Sequence, residues 1–193
     1  MIDEKTARER VVSAADRLFY AHGVQAVGMD SVRTESGVSL KRIYTLFPSK
    51  EDLIVAVLRH RTDQWNSGVA EAVNGAGTPR EKLLAVFDFL GGWFRDDDFR
   101  GCAFINVFGE LGADSNRVAE AVREQKSSFG RAVAELVRAA GSPDRLAPQL
   151  VLLAEGAQTT AAISGDPDTA LHARAAAETL IRCALEDEAA AAS

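Results

Sequence analysis

At 193 residues, with 47 % apolar and only 7 % aromatic side chains, the chain can bury roughly 70 % of its unfolded surface in one large or two small domains, which excludes wholesale disorder. It holds no apolar run of about 18 residues to span a bilayer, no visible secretory leader, and only Cys102 and Cys183, too few and too distant for a disulfide framework or a zinc site; a cytoplasmic protein without metal or cofactor is expected. The net charge is −6, yet residues 1–50 carry +2 and the rest −8, an asymmetry that suits two parts with different partners and permits a basic face for nucleic acid.

Helical periodicity recurs and no alternating strand pattern is sustained, so the chain reads as all-α. A first helix is predicted from Thr6, which with Glu9 forms a Thr-x-x-Glu capping box. Its apolar stripe takes Val11, Ala15, Leu18, Phe19 and His22, and Gly23 stops it. A short second helix runs from Met29 to Ser36. Gly37 then allows a sharp turn, and Ser39 caps a third helix, Leu40 to Leu46. Pro48 ends that helix, and Ser49 opens a longer one carrying Leu53, Ile54, Val57 and Leu58. Residues 74–77 form a loop. Thr78-Pro79-Arg80-Glu81 combines an N-cap, a proline at the first helical position and a box glutamate, so a helix starts there and reaches Phe94. After the acidic loop Asp96-Asp97-Asp98 come a short apolar helix over 102–111 and a long one over 115–140. Ser142-Pro143 and Asp166-Pro167 are each read as the start of a final helix, and the alanine-rich tail 186–193 is expected to fray.

The third helix concentrates the chemistry. Val38, Ile43 and Phe47 can face inward, leaving Ser39, Lys41, Arg42, Tyr44 and Thr45 on the other faces. Such a helix suits a DNA major groove. Arg42 is matched to guanine, Thr45 to a thymine methyl or a base edge, and Leu40 to a thymine methyl. Ser39, Lys41 and Tyr44 are matched to phosphates, and Lys50 adds its charge to the free N–H groups that open the next helix. By spacing and charge alone, most such faces are simply solvated. An enzyme has no comparable support: the chain holds no Gly-x-Ser-x-Gly elbow, P-loop or His-Glu-x-x-His. His22, His60 and His172 are isolated, and the Asp96–Asp98 run reads as a solvated loop.

The stretch GMDSVRTESGVSLKRIYTLFPSKEDLIVAVL, Gly28 to Leu58, resembles the DNA-binding segment of the tetracycline-repressor (TetR) family of bacterial regulators. The matching features are the Ser36-Gly37-Val38-Ser39 turn, Ile43-Tyr44, Phe47 and the run Pro48 to Leu53. The resemblance implies about nine helices: an N-terminal three-helix helix-turn-helix domain over 1–49 (motif 29–48), then a helical effector-binding and dimerisation domain over 50–193. It implies a homodimeric DNA-binding regulator, a repressor released from a pseudo-palindromic operator by a small molecule. A helical small-molecule-binding protein without DNA recognition is the alternative. Gly28 stands where a threonine often caps the second helix and touches phosphate. Arg33 replaces a usual alanine and can point to phosphate, but an ion pair with Asp30 or Glu35 is the favoured reading; Leu40 and Arg42 replace commoner types, which bears on the operator sequence.

In the larger half, the segments beginning at Thr78 and Cys102 are apolar nearly all round and are expected to be buried. Equivalent helices of the resembled family surround an effector pocket, which assigns Phe87, Leu90, Trp93, Phe94, Phe104, Asn106, Val107, Phe108 and Glu110 to a cavity for a largely apolar effector. Asn106 and Glu110, four apart, would orient that effector, though the aromatics read equally as core and Glu110 as an ion-pair partner or a solvated group. The last two helices offer Leu153, Gly156, Ala157, Ala161, Ala176, Leu180 and Cys183 to a four-helix dimer bundle; the same stripes can instead close the core of one chain. Both cysteines are expected to be buried.

Overall fold

The computed structural model describes residues 2–191, with side chains through residue 186. Among the described residues there are nine α-helices and no strand: α1 (Glu4–His22), α2 (Met29–Ser36), α3 (Leu40–Leu46), α4 (Lys50–Asn74), α5 (Pro79–Trp93), α6 (Ala103–Leu111), α7 (Asn116–Ala139), α8 (Leu146–Ser164) and α9 (Thr169–Ala191). The fraying expected for the tail falls, at Ala192 and Ser193, outside the described residues.

Helix ends follow local chemistry. α5 carries the full capping box: Glu81 N–H donates to Thr78 Oγ1 and Thr78 N–H donates to Glu81 Oε2. Gly37 ends α2 in the left-handed conformation at φ 67°, which glycine reaches without a Cβ penalty. Three starts differ from the sequence reading. α1 begins two residues earlier, because the Asp3 carboxylate, not Thr6, is the cap: it accepts from the N–H and the hydroxyl of Thr6. Ser142-Pro143 leads a turn rather than a helix; Leu146 N–H donates to Pro143 C=O, and α8 starts there, so Pro148 occupies the first turn, where no intrahelical N–H is needed. Likewise Asp166 accepts from Asp168 N–H in a turn that precedes α9.

The packing divides the chain into two compact units, and the division differs from a cut at residue 49. One unit joins the residues up to Gln64 to Cys102–Glu124; the other joins Trp65–Gly101 to the residues from Gln125 onward. In the first, α1, α2 and α3 pack together around Val11, Ala15, Phe19, Val32, Ile43 and Phe47. Leu53, Ile54 and Leu58 of α4 and Phe104 and Val107 of α6 complete that core. His22, assigned to the apolar stripe of α1, is exposed at its end. In the second unit, α5, α8 and α9 pack around Leu83, Phe87, Leu90, Leu150 and Ile181. Trp65 anchors an edge-to-face aromatic cluster there, its ring centroid 5.4 Å from those of Phe89 and Phe129 and 5.7 Å from that of Trp93. Two burial expectations fail. Ile105 and Phe108 of α6 are 36 % and 42 % exposed, because a helix packed on one side leaves an apolar residue on its other side in water whatever its type. Cys183 is exposed on α9, while Cys102 is buried.

Candidate nucleic-acid interface

α3 is a two-faced helix. Ile43 is buried within it, and Val38 and Phe47, just outside its ends, are buried with it, so its inner face is fixed to α1 and α2. On the opposite side Ser39, Lys41, Tyr44 and Thr45 are exposed and Leu40 is half-buried. Ser39 caps α3 through its backbone position, and its hydroxyl makes no capping bond. Thr45 Oγ1 donates to Lys41 C=O at 3.0 Å, which keeps its methyl group turned away from that carbonyl. The carboxyl end of α3 is fastened from α1, where Arg8 donates to Leu46 C=O at 3.3 Å and lies 4.5 Å from the Phe47 ring centroid. Gly28 caps α2 without a side-chain bond, leaving the first N–H groups of that helix open to an anion.

Two of the side chains assigned to DNA are engaged elsewhere. Arg42 Nη2 donates to Ile2 C=O at 2.7 Å. Lys50 Nζ donates to Val24 C=O at 2.6 Å and lies 5.9 Å from the Phe19 ring centroid. Burial pulls the Lys50 ammonium below the usual lysine range, against the opposing pull of the Glu110 carboxylate. Arg33 pairs with Asp30 at 3.2 Å, three residues back on the same helix.

Glu110 occupies a place that sequence reasoning did not find. Its carboxylate accepts from Val24 N–H at 3.0 Å and Gln25 N–H at 2.8 Å, and its own C=O accepts from Gln25 Nε2 at 2.8 Å. α6 thereby grips the turn between α1 and α2. Gly23 makes this possible: it takes a φ of 83°, and a Cβ there would stand 3.2 Å from both Glu110 carboxylate oxygens. A second bolt joins the start of α7 to the start of α4. Arg117 pairs with Asp52 at 2.8 Å and with Glu51 at 3.2 Å, and Ser115 donates to Glu51. Asp52 also accepts from the N–H and the hydroxyl of Ser49, which caps α4 in return. A third contact joins Arg61 of α4 to Asp16 of α1, with the guanidinium stacked 3.9 Å from the Tyr20 ring centroid.

The Ser49 hydroxyl, followed by Arg117, holds the Asp52 carboxyl below the ordinary carboxylate range. A carboxyl depressed in the folded state contributes stability above its unfolded pKa and loses it as pH falls through the folded one. Stability therefore declines below about pH 4, and Asp52→Asn is expected to flatten that decline. Urea midpoints of both proteins between neutral pH and about pH 3 measure it; parallel curves would remove Asp52 from the acid response.

The remaining assigned residues fall in different places. Asn106, Val107 and Glu110 line a cleft within the first unit, beside the buried Phe104, while Phe108 is exposed. Phe87, Leu90, Trp93 and Phe94 belong to the core of the second unit. Of the residues assigned to a dimer face, Ala157 and Ala161 are buried in the chain's own core, Leu153 and Leu180 are half-buried, and Gly156, Ala176 and Cys183 are exposed.

No described helix is long and apolar enough to cross a membrane. The sequence profile of bacterial regulatory proteins of the tetR family matches residues 11–57, from α1 into α4. The HTH-type transcriptional activator FasR of Mycolicibacterium smegmatis is 36 % identical over 87 residues, which are 43 % of this chain and 40 % of FasR, so the match spans less than half of that protein. A TetR transcriptional regulator from Chloroflexus aurantiacus is 25 % identical with a TM-score of 0.81, over 93 % of this chain and 96 % of that one. A TetR-family transcriptional regulator from Streptomyces coelicolor is 30 % identical with a TM-score of 0.86, again over 93 % and 96 % of the two chains. With the N-terminal segment matched in sequence and 93 % of the chain matched in structure at 30 % identity, this chain belongs to the TetR family of bacterial transcriptional regulators.

Proposed function

We propose that the chain acts in the cytoplasm as a homodimer that places α3 of each copy in successive major grooves of a pseudo-palindromic operator, and that it represses transcription. The observation that carries this reading is the outer face of α3, where Lys41, Tyr44 and Thr45 are exposed on a helix whose inner face is locked into the core. Lys41, Tyr44 and Ser39 suit phosphates, and Thr45 and Leu40 suit base edges. The open N-terminus of α2 at Gly28 suits another phosphate. The dimer is supported by the last two helices: Leu152, Ile163 and Leu171 are 73 %, 82 % and 53 % exposed, and the exposed Gly156 and Ala176 let a partner helix approach closely. Repression needs only occupancy of the operator, whereas activation needs a further contact to polymerase. A small, largely apolar effector releases the DNA by favouring a dimer whose α3 helices no longer match half-sites about 34–36 Å apart.

Genomic fragments selected by the purified chain, followed by sedimentation of the free protein and of its complex, test the reading. A dimer with one inverted-repeat motif among the fragments is expected. A monomer, or a chain that selects no sequence at low salt, contradicts it.

A further inference from the structure

Between α1, α4 and α6, wholly within the first compact unit, lies a cleft of about 350 Å³. That volume is within the range of small-molecule sites. Its apolar wall is formed by Phe19, Ile54, Val57, Leu58 and Val107, which belong to the core but turn one side to this space. The charged groups at its margin already have partners. The Asp16 carboxylate is paired with Arg61, and the Arg61 guanidinium stacks on Tyr20. The Glu110 carboxylate accepts two backbone N–H bonds and feels the Lys50 ammonium. A charged ligand would lose its hydration here and find no uncompensated opposite charge, whereas an apolar one gains the hydrophobic wall.

We infer that this cleft is a small-molecule site for a neutral, largely apolar compound, and that its occupancy is transmitted to the DNA-binding helices through Glu110. The inference rests on the reading of the chain as an effector-released regulator and assigns a site to that release. Glu110 both borders the cleft and holds the turn that leads from α1 into α2. A molecule seated against Val107 presses α6 away from α1. The bonds from Val24 and Gln25 to Glu110 then lengthen, the turn loosens, and α2 loses the anchor that sets its angle and, through it, the angle of α3. Release requires that the ligand prefer the loosened state, because only differential affinity moves the equilibrium.

Indole serves as the neutral probe, with tryptamine and indole-3-acetate as its cationic and anionic counterparts, each titrated calorimetrically into the full-length protein. Indole is expected to bind at least about tenfold more tightly than either charged analogue, with NMR contacts to the methyl groups of Val57 and Val107. It is expected to weaken binding of a selected operator fragment. Val107→Phe, which fills the cleft, is expected to lower indole affinity at least about tenfold. Glu110→Gln is expected to keep indole binding and lose its effect on DNA. Absence of indole binding at millimolar concentration, contacts to methyl groups outside the cleft, or undiminished binding by Val107→Phe would each overturn the site. The methyl contacts decide the point even where Val107→Phe does not fold. Indole bound in the cleft without any change in operator affinity overturns the transmission alone. A chain that binds DNA but not indole leaves the repressor reading standing and removes the cleft from it, whereas failure to select any DNA sinks the regulatory reading itself.

Discussion

Phe47→Ala is expected to cost the protein about 3–5 kcal/mol, the upper range for removing a buried aromatic side chain. The residue sits immediately after α3, buried, with its N–H bonded to Ile43 C=O at 2.8 Å and its ring under the Arg8 guanidinium. Its removal deletes apolar surface from the core shared with Ile43 and Leu53 and leaves a void that the surrounding helices cannot fill without moving. Arg8 also loses the surface over which its guanidinium lies, so the clamp on Leu46 C=O weakens with it. The reference is another phenylalanine. Phe108 on α6 is 42 % exposed, and Phe108→Ala is expected to change stability by no more than about 0.5 kcal/mol. Urea unfolding followed by circular dichroism at one protein concentration separates the two, since a dimer's apparent stability depends on concentration. Equal losses would mean that Phe108 is buried in solution as Phe47 is.

This pair shows where the sequence is legible. Around α3 apolar and polar residues are mixed, so the period of the apolar ones picks out Val38, Ile43 and Phe47 as the buried face, and they are buried. Along α6 nearly every residue is apolar, the period carries no contrast, and Ile105 and Phe108 cannot be told from Phe104 and Val107 without the fold. Helix ends are legible where one local device acts alone, as at Thr78, Gly23 and Gly37. They mislead where two devices compete over three residues: Asp3 and Thr6 are both acceptable caps, and the one further upstream holds the helix. The site is half legible for a different reason. The outward residues of α3 follow from periodicity, but the partners of Arg42, Lys50 and Glu110 lie 40, 26 and 85–86 residues away. Nothing local in a sequence distinguishes a lysine that reaches for phosphate from one that holds a backbone carbonyl in a distant turn. The last two helices pose the same difficulty: Ala157 and Ala161 share the composition of an interface and belong to the chain's own core.

Replacing Lys41 and Tyr44 together by alanine is expected to lower operator affinity at least about a hundredfold at moderate salt, because a hydrogen bond to a charged phosphate contributes about 1.5–3 kcal/mol and each is removed twice in a symmetric dimer. Both side chains are exposed on the outer face of α3. The single variants separate charge from hydrogen bonding. Lys41→Ala removes a cation, so it weakens all sequences alike and reduces the slope of log affinity against log salt by about one for each phosphate no longer neutralised. Tyr44→Phe removes a hydroxyl without a charge and leaves that slope unchanged. Thr45→Ala alters the preference at one base pair, by about 1–3 kcal/mol, and not the salt dependence. Arg42→Ala and Lys50→Ala behave differently, since their charged ends hold Ile2 C=O and Val24 C=O. Lys50→Ala is expected to weaken DNA binding only to the extent that it loosens the turn after α1, with a matching loss in stability. Fluorescence anisotropy of one labelled operator across a potassium chloride series, with thermal unfolding of the same proteins, distinguishes the two groups. If Arg42→Ala instead produces the greatest loss of base preference, the guanidinium leaves Ile2 on meeting DNA, and the reading surface of α3 extends round to the side that faces Ile2.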